Sequence, residues 1–355
     1  MQDGRVGFGL LGAWLVAPFH ARALQASSNA RLVAVADTDK DRRDKLAAEF
    51  RCASYHSLED MLENPEVEVV NVLTPNHLHY DAVIQIARAG RHALVEKPPA
   101  MSLREVDEMA AAGHTAAVHI GVVLQCRVRQ AVQAIRAAIL EGRFGKIYHA
   151  DAYMKWFRAA NYYGMDAWRS SQRSGAGVTI QQAFHYIDLL QHMVGPARKV
   201  QARMSNLGHP GVNLEDDLLA FVDYASGAQG VVQASTALWP GTDIRIEING
   251  QNGTVILIGE RIETWKFRDE RAEDDAIRRL GSGAIATGST GPADFGFQDH
   301  QTVIEDMADA VRTGRPPMIT LESVRPTLEW ALAMYLSAKL GSPVELPLRQ
   351  DQSPW

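Results

Sequence analysis

The sequence predicts an α/β chain of two domains, the first with helices between the strands of a parallel sheet, the second an α+β domain with an open, mostly antiparallel sheet. Three observations carry this. Residues 6–123 alternate short apolar runs with amphipathic stretches, whereas residues 147–267 string together strand-like runs punctuated by glycine, with few helices between them. At 355 residues and 46% hydrophobic composition, the chain is too long for one ordinary domain and suits two. The division is placed after Val123, giving domains 1–123 and 124–355.

The first element decides the most. Val6-Gly7-Phe8 enters Gly9-Leu10-Leu11-Gly12, an amphipathic stretch follows through Leu24, and a second apolar run from Leu32 to Ala36 stops at Asp37. As strand, glycine turn, helix and strand, this is a dinucleotide-binding βαβ unit of Rossmann type. Gly7 and Gly9 are expected to let the backbone turn tightly against a pyrophosphate, and Gly12 to let the helix pack on the strand. The Asp37 carboxylate suits the ribose hydroxyls of NAD and repels the 2′-phosphate of NADP, so NAD is expected ahead of NADP; the plain alternative is a turn or helix cap.

The first domain continues with a helix over 40–50, a short helix capped by Ser57, and a strand over 67–73 that delivers Thr74-Pro75-Asn76-His77 to the carboxyl edge of the sheet, where ligands bind in such folds. A helix over 79–89 and a strand over 92–95 bring Glu96-Lys97-Pro98-Pro99 to the same edge. Ser102 caps the next helix, with Glu105 completing a capping box, and residues 117–123 supply the last parallel strand.

In the second half, a helix over 129–141 leads into an alternating strand over 147–156. A single helix over 180–193 stops at Gly195-Pro196, and strands follow at 199–204, 217–224, 228–235, 243–249, 254–258 and 262–267. One face of this sheet can be covered by the two long helices. The other has no internal partner, so a homodimer or homotetramer through that face is expected. The order of 269–292 is left open. Helices over 299–313 and 321–340 finish the chain, the second expected to pack back on the sheet or the first domain.

A formal charge of -6 without a basic block argues against nucleic acid and anionic membranes as partners. Two cysteines, Cys52 and Cys126, make no disulfide framework, so a reducing, cytoplasmic setting is expected. The N-terminus runs straight into the first strand, so no signal peptide is expected, and no apolar run is long enough to span a bilayer. Among the 12 histidines, neither His77 with His79 nor His114 with His119 has metal-site spacing, so no metal is expected.

Gly7 to Gly12, Ala34-Val35-Ala36-Asp37, Thr74-Pro75-Asn76 with His79, Glu96-Lys97-Pro98, and Gly175-Ala176-Gly177 running on to His185-Tyr186-Ile187-Asp188 together make the chain resemble the glucose-fructose oxidoreductase, inositol dehydrogenase and MocA family over essentially its whole length. The resemblance implies NAD(P)-dependent oxidation or reduction of a hydroxyl on a sugar, inositol or nucleotide sugar, or on other small alcohols or cyclic compounds. It implies an open sheet that builds dimers or tetramers, a cis peptide before Pro98, Lys97 beside the nicotinamide and His185 facing the reacting carbon. Cofactor contacts follow for Gly7, Phe8, Gly9, Leu10, Leu11, Gly12, Asp37, Thr74, Pro75, Asn76, His79, Glu96 and Lys97; Gln125, after the last parallel strand, is placed near the nicotinamide or else serves only packing and solubility. One departure stands out. Many relatives carry Asp four residues before the histidine, and here that place holds Gln181, which can hydrogen-bond a hydroxyl or the imidazole on one helix face but supplies no negative charge.

That shifts the expected proton carrier to Lys97, with a salt bridge as its bland reading. His185 is assigned hydrogen bonding to the reacting oxygen or a share in the proton relay, against a satisfied core histidine. Asp188 is assigned a substrate hydroxyl, against a structural ion pair or cap. The run 156–169 offers aromatic faces for pyranose stacking and polar groups for a polyol or carboxylate, above all Arg158, Tyr162, Tyr163, Trp168 and Arg169, unless it merely packs as a lid or interface. The leading reading is NAD(H)-dependent hydride transfer to or from a secondary alcohol or ketone of a sugar, sugar acid or polyol. Alternatives are an enzyme that retains and recycles its NAD, as an epimerase, sugar-sugar oxidoreductase or redox-assisted glycosidase, and a non-catalytic dinucleotide-sensing protein.

Overall fold

The computed structural model describes residues 4–171, 174–175, 177–281, 296–349 and 354. The chain divides into two compact units, residues 1–125 with 296–325 and residues 126–295 with 326–355. The first unit is therefore not one continuous stretch: a segment near the C-terminus returns to it, which the expected division after Val123 does not contain.

The first unit begins β1 (Val6–Leu11), α1 (Ala17–Ala26), β2 (Ala30–Ala36), α2 (Lys40–Phe50), β3 (Ala53–Tyr55), α3 (Leu58–Leu62) and β4 (Val69–Val72), and continues α4 (His79–Arg88), β5 (His92–Glu96), α5 (Leu103–Ala116) and β6 (Ile120–Val123). Its six strands are parallel in the order β3-β2-β1-β4-β5-β6. The chain moves outward from β1 first on one side and then on the other, so the crevice between β1 and β4 is a topological switch point, where such sheets hold ligands at their carboxyl ends. Ser57 and Ser102 cap α3 and α5 with side-chain oxygens, as expected, and Asp39, not Asp37, caps α2.

The second unit contains α6 (Gln130–Leu140), β7 (Ile147–Lys155), α7 (Ala160–Tyr163), α8 (Val178–Gln181), α9 (Phe184–Val194), β8 (Ala197–Ser205), β9 (Asp217–Tyr224), β10 (Gln229–Ser235), β11 (Arg245–Gly250), β12 (Gly253–Ile258), β13 (Arg261–Phe267) and α10 (Asp274–Ile277). The chain ends with α11 (Gln298–Thr313), α12 (Leu321–Leu340) and β14 (Val344–Glu345). Eight strands form one sheet in the order β13-β12-β11-β7-β10-β9-β8-β14. All its pairs are antiparallel except β10 with β7. Across it, Ala202, Ala220, Val232, Ala152, Ile246 and Leu257 stand side by side and are buried, the small side chains letting α9 approach β7 closely. The opposite row, Arg203, Leu219, Gln233, Tyr153, Arg245 and Ile258, is not buried.

Two points left open are decided and one expectation changes. The helix that returns to the first sheet is α11, whose face of Val303, Ile304, Met307 and Ala308 is buried, and Asn29 Nδ2 donates to Glu305 O at 2.9 Å and Asp309 Oδ1 at 2.8 Å. From Pro326 onward α12 belongs to the second unit, where Ser337 Oγ accepts Ala202 N–H at 2.9 Å. Within residues 269–292, the part through Gly281 is structured around Asp274, which accepts Arg143 at 2.7 and 2.9 Å and Trp265 Nε1 at 2.6 Å; residues 282–292 lie outside the described ones. The single helix expected over 180–193 is two, broken at Gln182-Ala183. Among the described residues, no helix is long and apolar enough to cross a membrane.

Candidate active site

The glycine turn is one step further along than the sequence pattern suggests. β1 runs through Leu11, so Gly7, Phe8, Gly9 and Leu10 lie inside a strand, with Phe8 and Leu10 fully buried. These four are core residues rather than cofactor ligands. The two glycines are required by packing: a Cβ on Gly7 would lie 1.8 Å from Glu66 O, and one on Gly9 2.7 Å from Met61 Sδ. The turn itself starts at Gly12, whose φ of +103° suits glycine and whose added Cβ would meet Leu73 O at 2.9 Å. Counting the G-x-G-x-x-G spacing from Gly12 puts Trp14 and Ala17 in the second and third glycine places.

Asp37 holds this turn in shape. Its Oδ2 accepts Ala13 N–H at 2.7 Å and its Oδ1 accepts Asp39 N–H at 2.8 Å, so the carboxylate ties the turn after β1 to the start of α2. The structural reading of Asp37 is thus present, and each oxygen keeps a second lone pair for a ribose hydroxyl. The N–H groups of Trp14, Leu15 and Val16 meet no acceptor among the described residues, which leaves three donors at the edge where α1 begins. Arg42 stacks its guanidinium on Trp14 at 3.9 Å from the ring centroid. A diphosphate fits this donor set. At the same edge, Thr74 Oγ1 after β4 and Gln125 Oε1 after β6 are buried polar atoms with no hydrogen-bond partner among the described residues. Trp14 escapes a search for glycines because its backbone, not its side chain, offers the donor.

Pro75 and Asn76 follow Thr74, Asn76 buried in a short 3₁₀ turn. His79, expected to touch the cofactor, is fully buried and faces the chain with both ring nitrogens, Nε2 to Thr74 O and Nδ1 to Pro98 O, each at 2.8 Å. It is a strut between the ends of β4 and β5. Burial pushes its pKa below the usual histidine value, while the hydrogen bonds to the Pro98 and Thr74 carbonyls act the other way. Glu96 is also turned inward, accepting from His20 Nε2 at 3.0 Å and from Lys97 N–H at 3.1 Å, and so does not stand as a direct cofactor ligand. Lys97 itself is half-buried at the end of β5, and the Lys97-Pro98 peptide is cis.

In the second unit, Gln181 ends α8 and His185 lies in the first turn of α9, both half-buried. With the helix interrupted between them, four-residue spacing does not place them on one continuous helix face. The residue that joins the aromatic cluster is Gln182, which no sequence pattern singles out: its Nε2 donates to Tyr162 Oη at 3.1 Å, beside Arg169 Nη1 at 2.8 Å. Arg158, Tyr162 and Arg169 are buried, and the contacts found around them are internal. Arg158 lies over Trp156 and Tyr162, and Arg169 over Tyr162 and half-buried Trp168. Packing thus accounts for these expected substrate ligands. Tyr163 donates to or accepts from Thr236 Oγ1 at 2.6 Å and lines, with Asp166, Ser170 and His209, an open cavity of about 420 Å³. His209, another residue without a sequence signal, bridges Asp216 and Arg158 O at 2.7 Å each.

Asp188 is the clearest correction. It is 1% exposed and held by Arg127 and Thr327, so it is a buried ion pair and not a substrate ligand.

Comparison with known proteins decides the family. The model for the oxidoreductase family with an NAD-binding Rossmann fold matches residues 6–123, and that for the GFO/IDH/MocA C-terminal domain matches residues 132–256. The chain belongs to the GFO/IDH/MocA family. Among its relatives is 1,5-anhydro-D-fructose reductase of Ensifer adhaerens, 30% identical over 73% of this chain and 77% of that protein. Another is 2,7-anhydro-N-acetylneuraminate hydratase of Escherichia coli K12, 28% identical over 81% of this chain and 80% of that protein. The crystal structure of the WlbA dehydrogenase from Bordetella pertussis, in complex with NADH and UDP-GlcNAcA, superposes with a TM-score of 0.87 at 29% identity, covering 97% of this chain and all of that one (100%). As a GFO/IDH/MocA protein, the chain is an NAD-binding oxidoreductase whose dinucleotide would be held by the Gly12–Val16 turn and Asp37.

Proposed function

We propose that this protein transfers a hydride between NAD(H) and a secondary alcohol or ketone of a sugar, sugar acid or related polyol, with Lys97 as the proton carrier. The observation that carries it is the placement of Lys97 at the end of β5, on the sheet edge that also bears the donors of the Gly12–Val16 turn. The nicotinamide supplies the hydride chemistry. In oxidation, Lys97 Nζ takes the proton from the substrate hydroxyl, and in reduction it returns that proton to the carbonyl oxygen. The His79 strut holds the backbone on one side of Lys97, and Glu96 holds it on the other. In the second unit, hydrogen bonding to substrate oxygens is assigned to His185 and Gln181. The names of relatives that reduce an anhydro-sugar or bind UDP-GlcNAcA support a carbohydrate substrate.

A panel of sugars and sugar acids with NAD⁺ should raise absorbance at 340 nm. Lys97→Ala should lower kcat/KM at least about a hundredfold, and a near-normal rate would remove Lys97 from the mechanism. A second reading, in which NAD is retained and recycled, draws on the relative named as a hydratase. Product formation with tightly held NAD and no net change at 340 nm would select it.

We also propose that the exposed sheet face joins copies of this chain. Phe221 and Leu219, 69% and 46% exposed, stand on it beside Val231 and Tyr153. Phe221→Lys should convert the oligomer to monomer in light scattering; a wild-type protein that is already monomeric at micromolar concentration rejects this.

A further inference from the structure

We propose that His20 is a positioning residue for Lys97, acting through Glu96; the proposal rests on the reading of Lys97 as proton carrier. The two residues are 76 positions apart, His20 on α1 and Glu96 closing β5. His20 is fully buried and Glu96 is 9% exposed. On the far side of the ring, His20 Nδ1 lies 3.0 Å from Asn71 Nδ2, which can only donate, so the ring proton sits on Nε2 and is given to Glu96 Oε1 at 3.0 Å. The other oxygen, Oε2, takes Lys97 N–H at 3.1 Å. One carboxylate therefore couples α1 to the residue that ends β5. Water has little access to substitute for either bond.

The groups facing Glu96 come from every element around it: His20 on α1, His300 on α11, Lys97 beside it, and His79 on α4. Burial by itself raises the carboxyl pKa, but the hydrogen bond from His20 and the nearby Lys97 charge act against it and hold the carboxyl below its ordinary value. With one oxygen accepting His20 Nε2–H and the other Lys97 N–H, Glu96 is held as an anchored anion and not as a proton relay. His20, Glu96 and His300 also bring one metal-ligand-type atom each within 4.8 Å of the others. Both nitrogens of His20 and both oxygens of Glu96 already have hydrogen-bond partners, which favours the positioning network over a cation site.

The test compares His20→Leu, His20→Gln, Glu96→Gln and Lys97→Ala in the full-length protein. Glutamine at position 20 restores an N–H donor near Nε2, whereas leucine and the Glu96 amide remove the anchored anion or its donor. His20→Leu should lower kcat about tenfold to a hundredfold on whichever panel sugar is turned over fastest, with NAD⁺ affinity by calorimetry within about twofold, and His20→Gln should recover most of the rate. Independently of turnover, the pH midpoint for acylation of Lys97 by acetic anhydride, followed by mass spectrometry, should fall by about half a unit or more in Glu96→Gln, where an anion favouring the ammonium form is lost, and should shift in His20→Leu but not in His20→Gln, because the carboxylate is then no longer held in place. In the Lys97→Ala background, His20→Leu should add no further loss. Wild-type kcat and labelling in His20→Leu, or an additive loss without Lys97, overturns the proposal. Should His20→Leu not fold, Glu96→Gln carries the same two readouts, and wild-type values there overturn the proposal equally. One equivalent of a transition metal that leaves in His20→Leu and His300→Ala also overturns it. A near-normal Lys97→Ala instead removes the reading of Lys97 itself.

Discussion

Arg127 and Asp188 are bound to each other by two hydrogen bonds, Nε to Oδ2 at 2.7 Å and Nη2 to Oδ1 at 2.5 Å, with both side chains almost wholly buried. Thr327 Oγ1, from α12, adds a third donor to Oδ1 at 2.8 Å. The pair joins the segment before α6 to α9 and α12. Removing one partner leaves a buried charge without its counter-ion, so Asp188→Ala should lower the stability of the second unit by about 3–5 kcal/mol in urea denaturation. Replacing both, as Arg127→Met with Asp188→Leu, should recover most of that loss. A stability change under about 1 kcal/mol in Asp188→Ala would restore the residue as a candidate substrate ligand.

Gly7 and Gly12 should separate folding from cofactor binding. Alanine at position 7 puts a carbon 1.8 Å from Glu66 O in the turn before β4, and Gly7→Ala should fail to give folded protein. Gly12→Ala should fold with about 1–3 kcal/mol of backbone strain and bind NAD⁺ at least about tenfold more weakly, because the turn that aims the Trp14, Leu15 and Val16 amides shifts. Circular dichroism and calorimetry read the two effects; a Gly12→Ala protein with wild-type affinity would place the diphosphate elsewhere.

Asp37 has two tasks that one substitution can expose together. Since its oxygens accept Ala13 and Asp39 N–H groups, Asp37→Ala should lower the melting temperature and weaken NAD⁺ binding at once. A residue serving only the ribose would leave the melting temperature unchanged.

The first unit should lose stability in mildly acidic solution. His92 lies at the start of β5, its Nδ1 accepts His119 N–H at 2.9 Å, and burial followed by the His119 charge lowers its pKa to about 4. The unfolded chain takes up its proton near pH 6.5, so the contribution is whole above that value, declines as pH falls and is lost by about pH 4. Buried His79 shifts in the same direction. His92→Asn, which keeps an acceptor, should flatten the dependence of melting temperature on pH between those limits; an unchanged slope would assign it to other groups.

Much of the fold was legible from residue spacing. The strands β1, β2, β4, β5 and β6 of the first unit and most strands of the second follow directly from apolar runs bounded by glycine and from capping residues such as Ser57 and Ser102. The site was less legible. Gly7, Gly9 and Gly12 fit a phosphate pattern as written, yet the first two let β1 pack closely against α3 and the turn before β4, and the donors belong to Trp14, Leu15 and Val16. Arg158, Arg169 and Asp188 look like ligands because charged residues beside aromatics suit sugars; burial turned them into internal partners.

Local sequence was enough to settle the alternation of strand and helix, the position of Asp37 at the end of β2 and of Lys97 at the end of β5, because hydrophobic period and turn chemistry act over a few residues. Tertiary structure alone decided that α11 returns to the first unit, that Asp188 answers Arg127, and that His20 reaches Glu96. Those pairings join residues that chain order keeps far apart, and only the burial of both partners in one low-dielectric place selects them.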